Sequence, residues 1–366
     1  MLYKLLFSLL LNTNLKTECY QTDYVGINSL FNNYIREYNK SYSSDAEYWK
    51  RFFIFQKNVE RINHVNANQE KFTYQLGFNN FTDMTSDEFS LKSKGYKGLN
   101  YRYRNYRLEN KEDYKFYHRY TIPSYENNNT NYTNKSIDWR AMGYVTDIKD
   151  QGQCGSCWAF SAIGTMEGAW FKKSGNLVSL SEQDIVDCVT SCYGCDGGWP
   201  YMAIDWVLNH SSSNLTRHNN SYYSNDTDNS GVDTESSYPY EAQDDTCRFS
   251  SNNTGAVMKA LVEIPSGSVS HLMDALFSVG PISIAIDAEE DLQMYKSGIY
   301  SSSSCSNTSL DHAVLLIGYG ITPNNKTYYI VKNSWGTDWG QDGYVYFSAD
   351  IPNMCGIATD ACYAVA

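Results

Sequence analysis

The chain has 366 residues, 42% hydrophobic and 15% aromatic, so it can bury a sizeable core and is long enough for more than one domain. Its net charge of -12 and pI of about 5.0 argue against nucleic acid as a partner. No segment approaches the roughly 20 apolar residues that a membrane-spanning helix needs, so we expect a soluble protein with no membrane partner.

The N-terminus has the pattern of a secretory signal. Lys4 precedes a short apolar run over residues 5–11, although an A-x-A-like cleavage site is missing. Ten cysteines and several N-x-[ST] acceptors, among them those at Asn80, Asn131, Asn214, Asn225 and Asn307, favour an oxidising compartment and glycosylation. We predict a signal peptide over residues 1–18, with the lysosome, an acidic vacuole or the extracellular space as destination. A frayed apolar N-terminus is the alternative.

Residues 19–95 are predicted to form a separate helical unit. Glu47 and Arg51 can pair across one helical turn, and Phe55, Val59 and Ile62 form an apolar stripe. Two longer spacings are more specific: Glu47, Arg51, Phe55, Asn58, Ile62 and Asn66, followed by Gly77, Asn79, Phe81 and Asp83. They resemble the ERFNIN and GNFD motifs of the inhibitory propeptide in cathepsin L-like peptidases. The resemblance implies an intramolecular inhibitor, a prodomain.

Residues 96–136 are polar, rich in Tyr and Asn, and show no sustained apolar period. We predict a linker that is cut on activation. The mature enzyme is expected to start a few residues before Ile137 and to extend to residue 366. We expect Asp83, Glu47 and their neighbours to hold the prodomain by ion pairs that protonation weakens, so that acid near pH 4 to 5, close to the carboxyl pKa of about 4, releases it.

The run from Gln151 to Ser161 has the parts of an activated thiol. A Gly-rich turn ends at Cys157, and the pattern from Trp158 to Lys173 predicts a helix. The thiol would lie at the helix N-terminus, where the macrodipole favours thiolate. Cys154-Gly-Ser-Cys157-Trp158 also matches the sequence around the nucleophile of papain and the cathepsins. The chain thus resembles the papain family of cysteine peptidases.

Two later segments can supply the partners of this thiol. His312 lies at the start of an apolar run that predicts a buried strand, and a second strand over residues 328–332 ends in Asn333, followed by Trp335. The resemblance implies that Cys157 is the nucleophile, His312 the general acid and base, Asn333 its orienting partner and Trp335 a cover over their hydrogen bond. Gln151 and the Cys157 N–H would form the oxyanion hole.

The chemistry implied is peptide hydrolysis through a thiolate–imidazolium pair and an acyl-enzyme, with no metal or cofactor. Expected substrate-binding residues are Gly197, Gly198, Trp199, Pro200, Ala285, Leu310, Asp311, Trp335, Trp339 and Asp360. Asp360 would form the floor of S2, the pocket for the substrate residue that precedes the residue at the cleaved bond. With this carboxylate at its floor, S2 would accept Arg alongside Leu or Val. Alternatively, Asp360 turns to solvent or caps an amide.

The family pattern implies disulfides Cys154–Cys195, Cys188–Cys247 and Cys305–Cys355. Cys192 and Cys362 are then left over and are predicted to pair. Without the resemblance, eight cysteines permit 105 connectivities. Cys154-x-x-Cys157 and Cys192-x-x-Cys195 also leave open a zinc ribbon or a dithiol redox site, although neither explains Gln151, His312 and Asn333.

The resemblance implies an α+β, papain-like fold of two domains, a helical left domain to about Thr254 and a β-barrel-like right domain, preceded by the helical prodomain. The polar insert over residues 210–229 is predicted to be a surface loop. We expect a monomeric cysteine endopeptidase whose partners are protein and peptide substrates and its own prodomain. A papain-like exopeptidase and an inactive binding protein of the same fold are the alternatives.

Overall fold

The computed structural model describes residues 20, 24–98, 135–209 and 231–366. The predicted signal peptide, the 210–229 insert, most of the linker and the acceptors Asn131, Asn214 and Asn225 lie outside these residues. Within them, no helix combines the length and apolar character needed to cross a membrane.

Over its described residues, the prodomain contains three helices and one short strand. These are α1 (Tyr24–Glu37), α2 (Asp45–Ala67), β1 (Tyr74–Leu76) and α3 (Ser86–Ser93). The predicted stripe on α2 is buried: Phe55 and Val59 pack against Ile27 and Phe31 of α1, and Ile62 is buried in the core cluster that contains Tyr74 and Leu76 of β1. Helix α2 begins where the Ser44 hydroxyl accepts a hydrogen bond from the Glu47 N–H. The predicted amphipathic helix with its buried apolar stripe is therefore confirmed.

The first half of the peptidase domain is mainly helical. It contains α4 (Cys157–Ser174), α5 (Glu182–Cys188) and α6 (Pro200–Asn209). Residues Cys157 to Gly168 of α4 are all buried, because this helix lies between α5 and α6 on one side and the strands of the second half on the other. The helix ends at Gly175, whose left-handed φ of 75° suits a residue without a Cβ. The predicted helix, Trp158 to Lys173, is one residue shorter at each end.

The second half is built on a sheet. Its strands are β2 (Ile137–Asp138), β5 (Ala260–Glu263), β6 (Ile282–Ile286), β7 (Tyr295–Tyr300), β8 (His312–Ile321), β9 (Thr327–Lys332), β10 (Tyr344–Ser348) and β11 (Ala361–Val365), with α7 (Val269–Ser278) and α8 (Glu290–Gln293) beside them. Strands β3 (Val232–Asp233) and β4 (Thr254–Ala256) form a separate pair.

The strand order is β1-β7-β10-β9-β8-β6-β11-β5, with β2 paired to β8. This path has two ends, β1 of the prodomain and β5, which are not bonded to each other, so the barrel-like half is an open sheet over the described residues. Strands β8 and β9 are antiparallel neighbours, so the start of β8 lies beside the end of β9. His312 begins β8 and Asn333 follows β9, which brings the two residues to the same end of the strand pair.

The described residues contain three disulfides, and they are the pairings that the resemblance implies: Cys154–Cys195, Cys188–Cys247 and Cys305–Cys355. The bond between Cys154 and Cys195 takes one cysteine from each C-x-x-C unit, which rules out a zinc ribbon built on the four thiolates. The predicted fourth bridge, Cys192–Cys362, is wrong in this structure. Cys192 directs its sulfur at Gly198, whereas Cys362 is held on β11 between β5 and β6.

Candidate active site

Cys157 is the first residue of α4, and its position is fixed from both sides. The preceding turn is tied down by the Cys154–Cys195 disulfide and by the Gly155 N–H, which donates to the Cys195 carbonyl at 2.8 Å. From the second half, the Ala313 N–H donates to the Cys157 Sγ at 3.4 Å. The thiol therefore lies at the junction of the two halves.

His312 is fully buried beside this thiol. Its Nε2 donates to the Asn333 Oδ1 at 2.8 Å, which leaves Nδ1 as an acceptor. Among the described residues, Nδ1 has no hydrogen-bond partner. The Trp335 indole stacks on the imidazole with ring centroids 4.5 Å apart. Asn333 and Trp335 thus hold the ring in one orientation with one basic nitrogen available.

Gln151 occupies the position predicted for an oxyanion donor. Its Oε1 accepts from the Ser334 hydroxyl at 2.6 Å, which orients the amide so that Nε2 is the donor. Nε2 donates to the Cys154 carbonyl at 2.9 Å and to the Ser93 carbonyl of the prodomain at 3.1 Å. The Trp335 indole N–H donates to the same Ser93 oxygen at 3.0 Å. A prodomain carbonyl therefore occupies the predicted oxyanion donor.

The covered cleft favours the uncharged form of the dyad. Burial raises the pKa of the Cys157 thiol to about 12, although the N–H groups of Ala313 and Gly95 partly oppose the shift. Burial also lowers the pKa of His312 to about 4, against the opposing effect of its bond to Asn333. Both shifts disfavour a thiolate–imidazolium pair while the prodomain is in place.

The prodomain passes through the cleft as an extended segment. The Gly95 carbonyl accepts from the Gly198 N–H at 2.8 Å, and the Lys97 N–H donates to the Gly198 carbonyl at 3.3 Å, a parallel bridge around Tyr96. Gly197, at φ 112°, must be a glycine, because a Cβ there would come within 2.3 Å of the Gly95 oxygen. The Gly95 N–H is directed at the Cys157 thiol, so the thiol meets a donor rather than a carbonyl carbon at this residue.

Tyr96 fills the pocket predicted as S2. Its ring belongs to the same buried cluster as Trp199, Ala285 and Leu310. Its hydroxyl donates to the Asp360 carboxylate. Burial and the neighbouring Asp360 raise the pKa of Tyr96, so the hydroxyl keeps its proton and acts as the donor. Asp360 thus faces a side chain bound in the cleft.

The remaining predicted substrate residues differ in their surroundings. Asp311 receives a salt bridge from Lys94 at 2.8 Å, and the Trp199 indole N–H donates to the Gly98 carbonyl at 2.6 Å. Trp339 lies behind Trp335, edge-on at 4.9 Å, with its indole N–H bonded to the Leu292 carbonyl. Pro200 is buried at the start of α6. Trp339 therefore supports the Trp335 ring.

The charges that join the prodomain to the enzyme are not the expected ones. Asp83 accepts from Tyr34 and Tyr42, each at 2.9 Å, and Glu47 from the Ser43 hydroxyl at 2.6 Å, all within the prodomain. The bonds that cross the interface include the two-pronged Arg61–Asp291 pair at 2.7 and 2.8 Å and the Lys94–Asp311 pair. Asp83 and Glu47 stabilise the prodomain fold, whereas basic prodomain side chains contact acids of the enzyme.

Glu88 links α2 to α3, the helix that leads into the cleft. It accepts from Lys50 at 2.5 Å and from Arg51 at 2.8 Å. Burial acts to raise the pKa of Glu88, but the bonds from Lys50, the Thr85 N–H and Arg51 outweigh it and lower the pKa to about 2. A lowered pKa stabilises the folded prodomain above about pH 4.5, and this contribution is lost as the pH falls toward 2.

We therefore expect Glu88→Gln, which mimics the protonated residue, to let the proenzyme process itself at a higher pH than the wild type. The measurement is the pH at which half of the proenzyme is cleaved in a fixed time. Glu47→Gln is the matched control, because the Glu47 bonds stay within the start of α2. A larger shift in Glu47→Gln than in Glu88→Gln would contradict the role of the α2–α3 link.

Ser334 and Ser93 are functional contacts that the sequence pattern did not single out. Ser334 directly follows Asn333 and could have been suspected from that position. The Ser93 contact is made by a backbone carbonyl, which no side-chain pattern can reveal.

Comparison with known proteins gives two family matches. Residues 133–365 match the papain family cysteine protease domain, and residues 31–89 match the cathepsin propeptide inhibitor domain. The first match alone covers more than half of the chain.

The chain is 42% identical over 335 residues to digestive cysteine proteinase 1 of Homarus americanus, covering 89% of this chain and 91% of the relative. It is 39% identical over 339 residues to cathepsin L of Sarcophaga peregrina, covering 90% of each. The solved structure of digestive procathepsin L 3 from the larval midgut of Tenebrio molitor matches with a TM-score of 0.75 at 35% identity, covering 93% of this chain and 99% of that one.

Both domain matches and these relatives span the prodomain together with the peptidase domain. The prodomain in turn covers a cleft that brings a thiol, an imidazole and an amide together. The chain is a cathepsin L-like zymogen and belongs to the papain family of cysteine proteases.

Proposed function

We propose that Cys157, His312, Asn333 and Gln151 carry out peptide hydrolysis in the mature enzyme. The observation that carries this assignment is the prodomain segment over residues 93–98, which covers all four at one cleft. Its Ser93 carbonyl accepts from Gln151, and its Gly95 N–H faces the Cys157 thiol. An inhibitor that occupies the positions of a substrate marks the residues that act on substrates.

Removal of this segment exposes Cys157 and His312 to water, so burial no longer raises the pKa of the thiol or lowers that of the imidazole. Once water reaches the cleft, the thiol proton can pass to His312 Nδ1, and the macrodipole at the start of α4 stabilises the thiolate. The thiolate attacks the peptide carbonyl, and the Gln151 amide stabilises the oxyanion. The imidazolium then protonates the departing amine, and water hydrolyses the acyl-enzyme with His312 as the base.

Cleavage mapping of the activated enzyme with a peptide library tests this function. An endopeptidase should cut at internal bonds from the earliest time points. Stepwise loss of residues from either terminus would instead indicate an exopeptidase.

We propose that S2 selects for side chains that donate to Asp360, including Arg. The Tyr96 contact supports this proposal, because a side chain in the cleft reaches the Asp360 carboxylate while its ring packs on Trp199 and Leu310. An Arg stem could pack on the same apolar walls while its guanidinium makes two parallel hydrogen bonds to the carboxylate.

Asp360→Ala is expected to lower kcat/KM roughly 5- to 150-fold for a substrate whose S2 residue is Arg. This factor corresponds to a loss of about 1 to 3 kcal/mol of transition-state stabilisation, the range for a hydrogen bond to a charged group. A matched Leu substrate should change little. Asp360→Asn is the control that keeps the shape and removes the charge. It should lose Arg selectivity in the same direction. Equal losses for the Arg and Leu substrates would exclude a role of Asp360 in selection.

We further propose that the zymogen enters the secretory pathway and is activated in an acidic compartment. The three disulfides support an oxidising route. The lowered pKa of Glu88 means that its contribution to prodomain stability starts to fall only below about pH 4.5, so acid weakens the prodomain from that pH downward. Cell fractionation with antibodies against the prodomain and the mature domain would test this. Mature enzyme without its prodomain should be found only in acidic fractions or in the medium.

A further inference from the structure

Tyr240 makes two contacts to the turn that carries the nucleophile, although it lies 83 residues after Cys157 in the sequence. Its hydroxyl donates to the backbone carbonyl of Gln151 at 2.9 Å. The same oxygen is bonded to the Ser156 hydroxyl at 2.6 Å. Gln151 holds the oxyanion donor, and Ser156 directly precedes Cys157. One phenol therefore joins the two ends of the turn.

Tyr240 is itself held in a fixed position. Its backbone N–H donates to Glu235 Oε1 at 3.0 Å, and its ring packs edge-on against Phe160 with centroids 4.9 Å apart. Phe160 lies on α4, three residues after Cys157. Burial raises the pKa of Tyr240, so its hydroxyl stays protonated and can donate one hydrogen bond while it accepts another.

Gln151 is thereby held from two directions. On the side of the base, Ser334 fixes the residue: its carbonyl accepts from the Gln151 N–H at 2.9 Å, and its hydroxyl donates to the side-chain oxygen. On the side of the nucleophile, the only described side chain bonded to the Gln151 carbonyl is that of Tyr240. Loss of the phenol would leave the distance between Gln151 and the start of α4 less well defined.

We infer that Tyr240 is a positioning residue for the oxyanion hole: its hydroxyl sets the spacing between the Gln151 amide and the Cys157 nucleophile. This inference rests on the proposed role of Gln151. Complete loss of one oxyanion donor costs about 10²- to 10³-fold in kcat. A donor that is present but misaligned should cost less, on the order of 10-fold.

The test uses Tyr240→Phe in the full-length chain, activated by acid, with Tyr238→Phe as the matched control. Tyr238 lies two residues away, and its hydroxyl donates to Asp187 at 2.6 Å, away from the turn. Tyr240→Phe should lower kcat by about 10-fold and change KM by less than about 2-fold, because the hydroxyl positions the Gln151 donor and does not contact substrate side chains. Tyr238→Phe should keep its kcat.

Two inhibitors separate positioning from folding. A peptide aldehyde forms a tetrahedral adduct whose oxygen uses the oxyanion hole, so its affinity should fall by the same factor as kcat. Iodoacetamide alkylates Cys157 without using that hole, so its rate should not change. A wild-type kcat in Tyr240→Phe would overturn the inference, and so would a parallel loss of kcat, alkylation rate and Tm. If wild-type Cys157 itself were not alkylated, the proposed function would fail instead.

Discussion

Replacing Cys157 with serine is expected to give a folded proenzyme that is neither processed nor active. A serine hydroxyl next to His312 does not ionise near neutral pH, so no strong nucleophile forms, while serine is smaller than cysteine and therefore fits the space at the start of α4. Peptidase activity should fall on the order of 10⁴-fold or more. The measurements are kcat/KM on a peptide substrate and gel analysis of the proform after acid incubation.

Cys192→Ser is the matched control for this variant. Cys192 is a second buried thiol of the same half, but its sulfur faces Gly198, and among the described residues it makes no bond to His312, Asn333 or Gln151. This variant should keep its activity even if it loses some stability. Substantial activity in Cys157→Ser, or loss of activity only in Cys192→Ser, would refute the assignment of the nucleophile.

Gly95→Ala is expected to open the cleft of the uncut proenzyme. A Cβ at this position would be 1.7 Å from the Gly155 carbonyl oxygen, and this oxygen belongs to the backbone that the Cys154–Cys195 disulfide fixes. Gly95 does not have a positive φ, so alanine causes no strain in the prodomain itself. The clash therefore acts only where the prodomain meets the enzyme.

The expected increase in Cys157 alkylation follows from the contacts that the cleft segment loses when it is displaced. Displacement exposes the buried Tyr96 ring and breaks the bonds to Gly198, at a combined cost of about 3 kcal/mol or more. At neutral pH, alkylation of Cys157 in the uncut Gly95→Ala chain should be about 100-fold faster than in the wild type, the factor that this free energy corresponds to. Leu91→Ala, at a side chain that is 82% exposed, is the control and should behave like the wild type. Equal alkylation rates in all three chains would show that the cleft tolerates a side chain at this position.

The sequence could predict the elements whose signals are local. Helices α2 and α4 follow from apolar periodicity, and β8 follows from an apolar run of strand length. The resemblance brought Cys157, His312, Asn333 and Gln151 together because each of them lies in a recognisable short motif. Their meeting in one cleft is a property of the fold, not of any one motif.

What could not be predicted depends on the path of the chain in space. The Lys94–Asp311 and Tyr96–Asp360 contacts join residues more than 200 positions apart, and no periodicity encodes them. The pairing of Cys192 with Cys362 was predicted by elimination, which assumes that every remaining cysteine forms a disulfide. Buried thiols pack well as small apolar groups, so this assumption fails here.

Strand β1 of the prodomain pairs with β7, and the other neighbour of β7 among the described strands is β10. When the prodomain leaves, β7 becomes a bare edge whose N–H and C=O groups could recruit a strand from another molecule. The strand carries its own protection: Lys296 is exposed, and the pairing with β1 is irregular opposite it, because the register shifts between Gln75 and Leu76. Maturation should therefore release an enzyme that stays dispersed at high concentration, and Lys296 is the residue whose loss would first promote self-association.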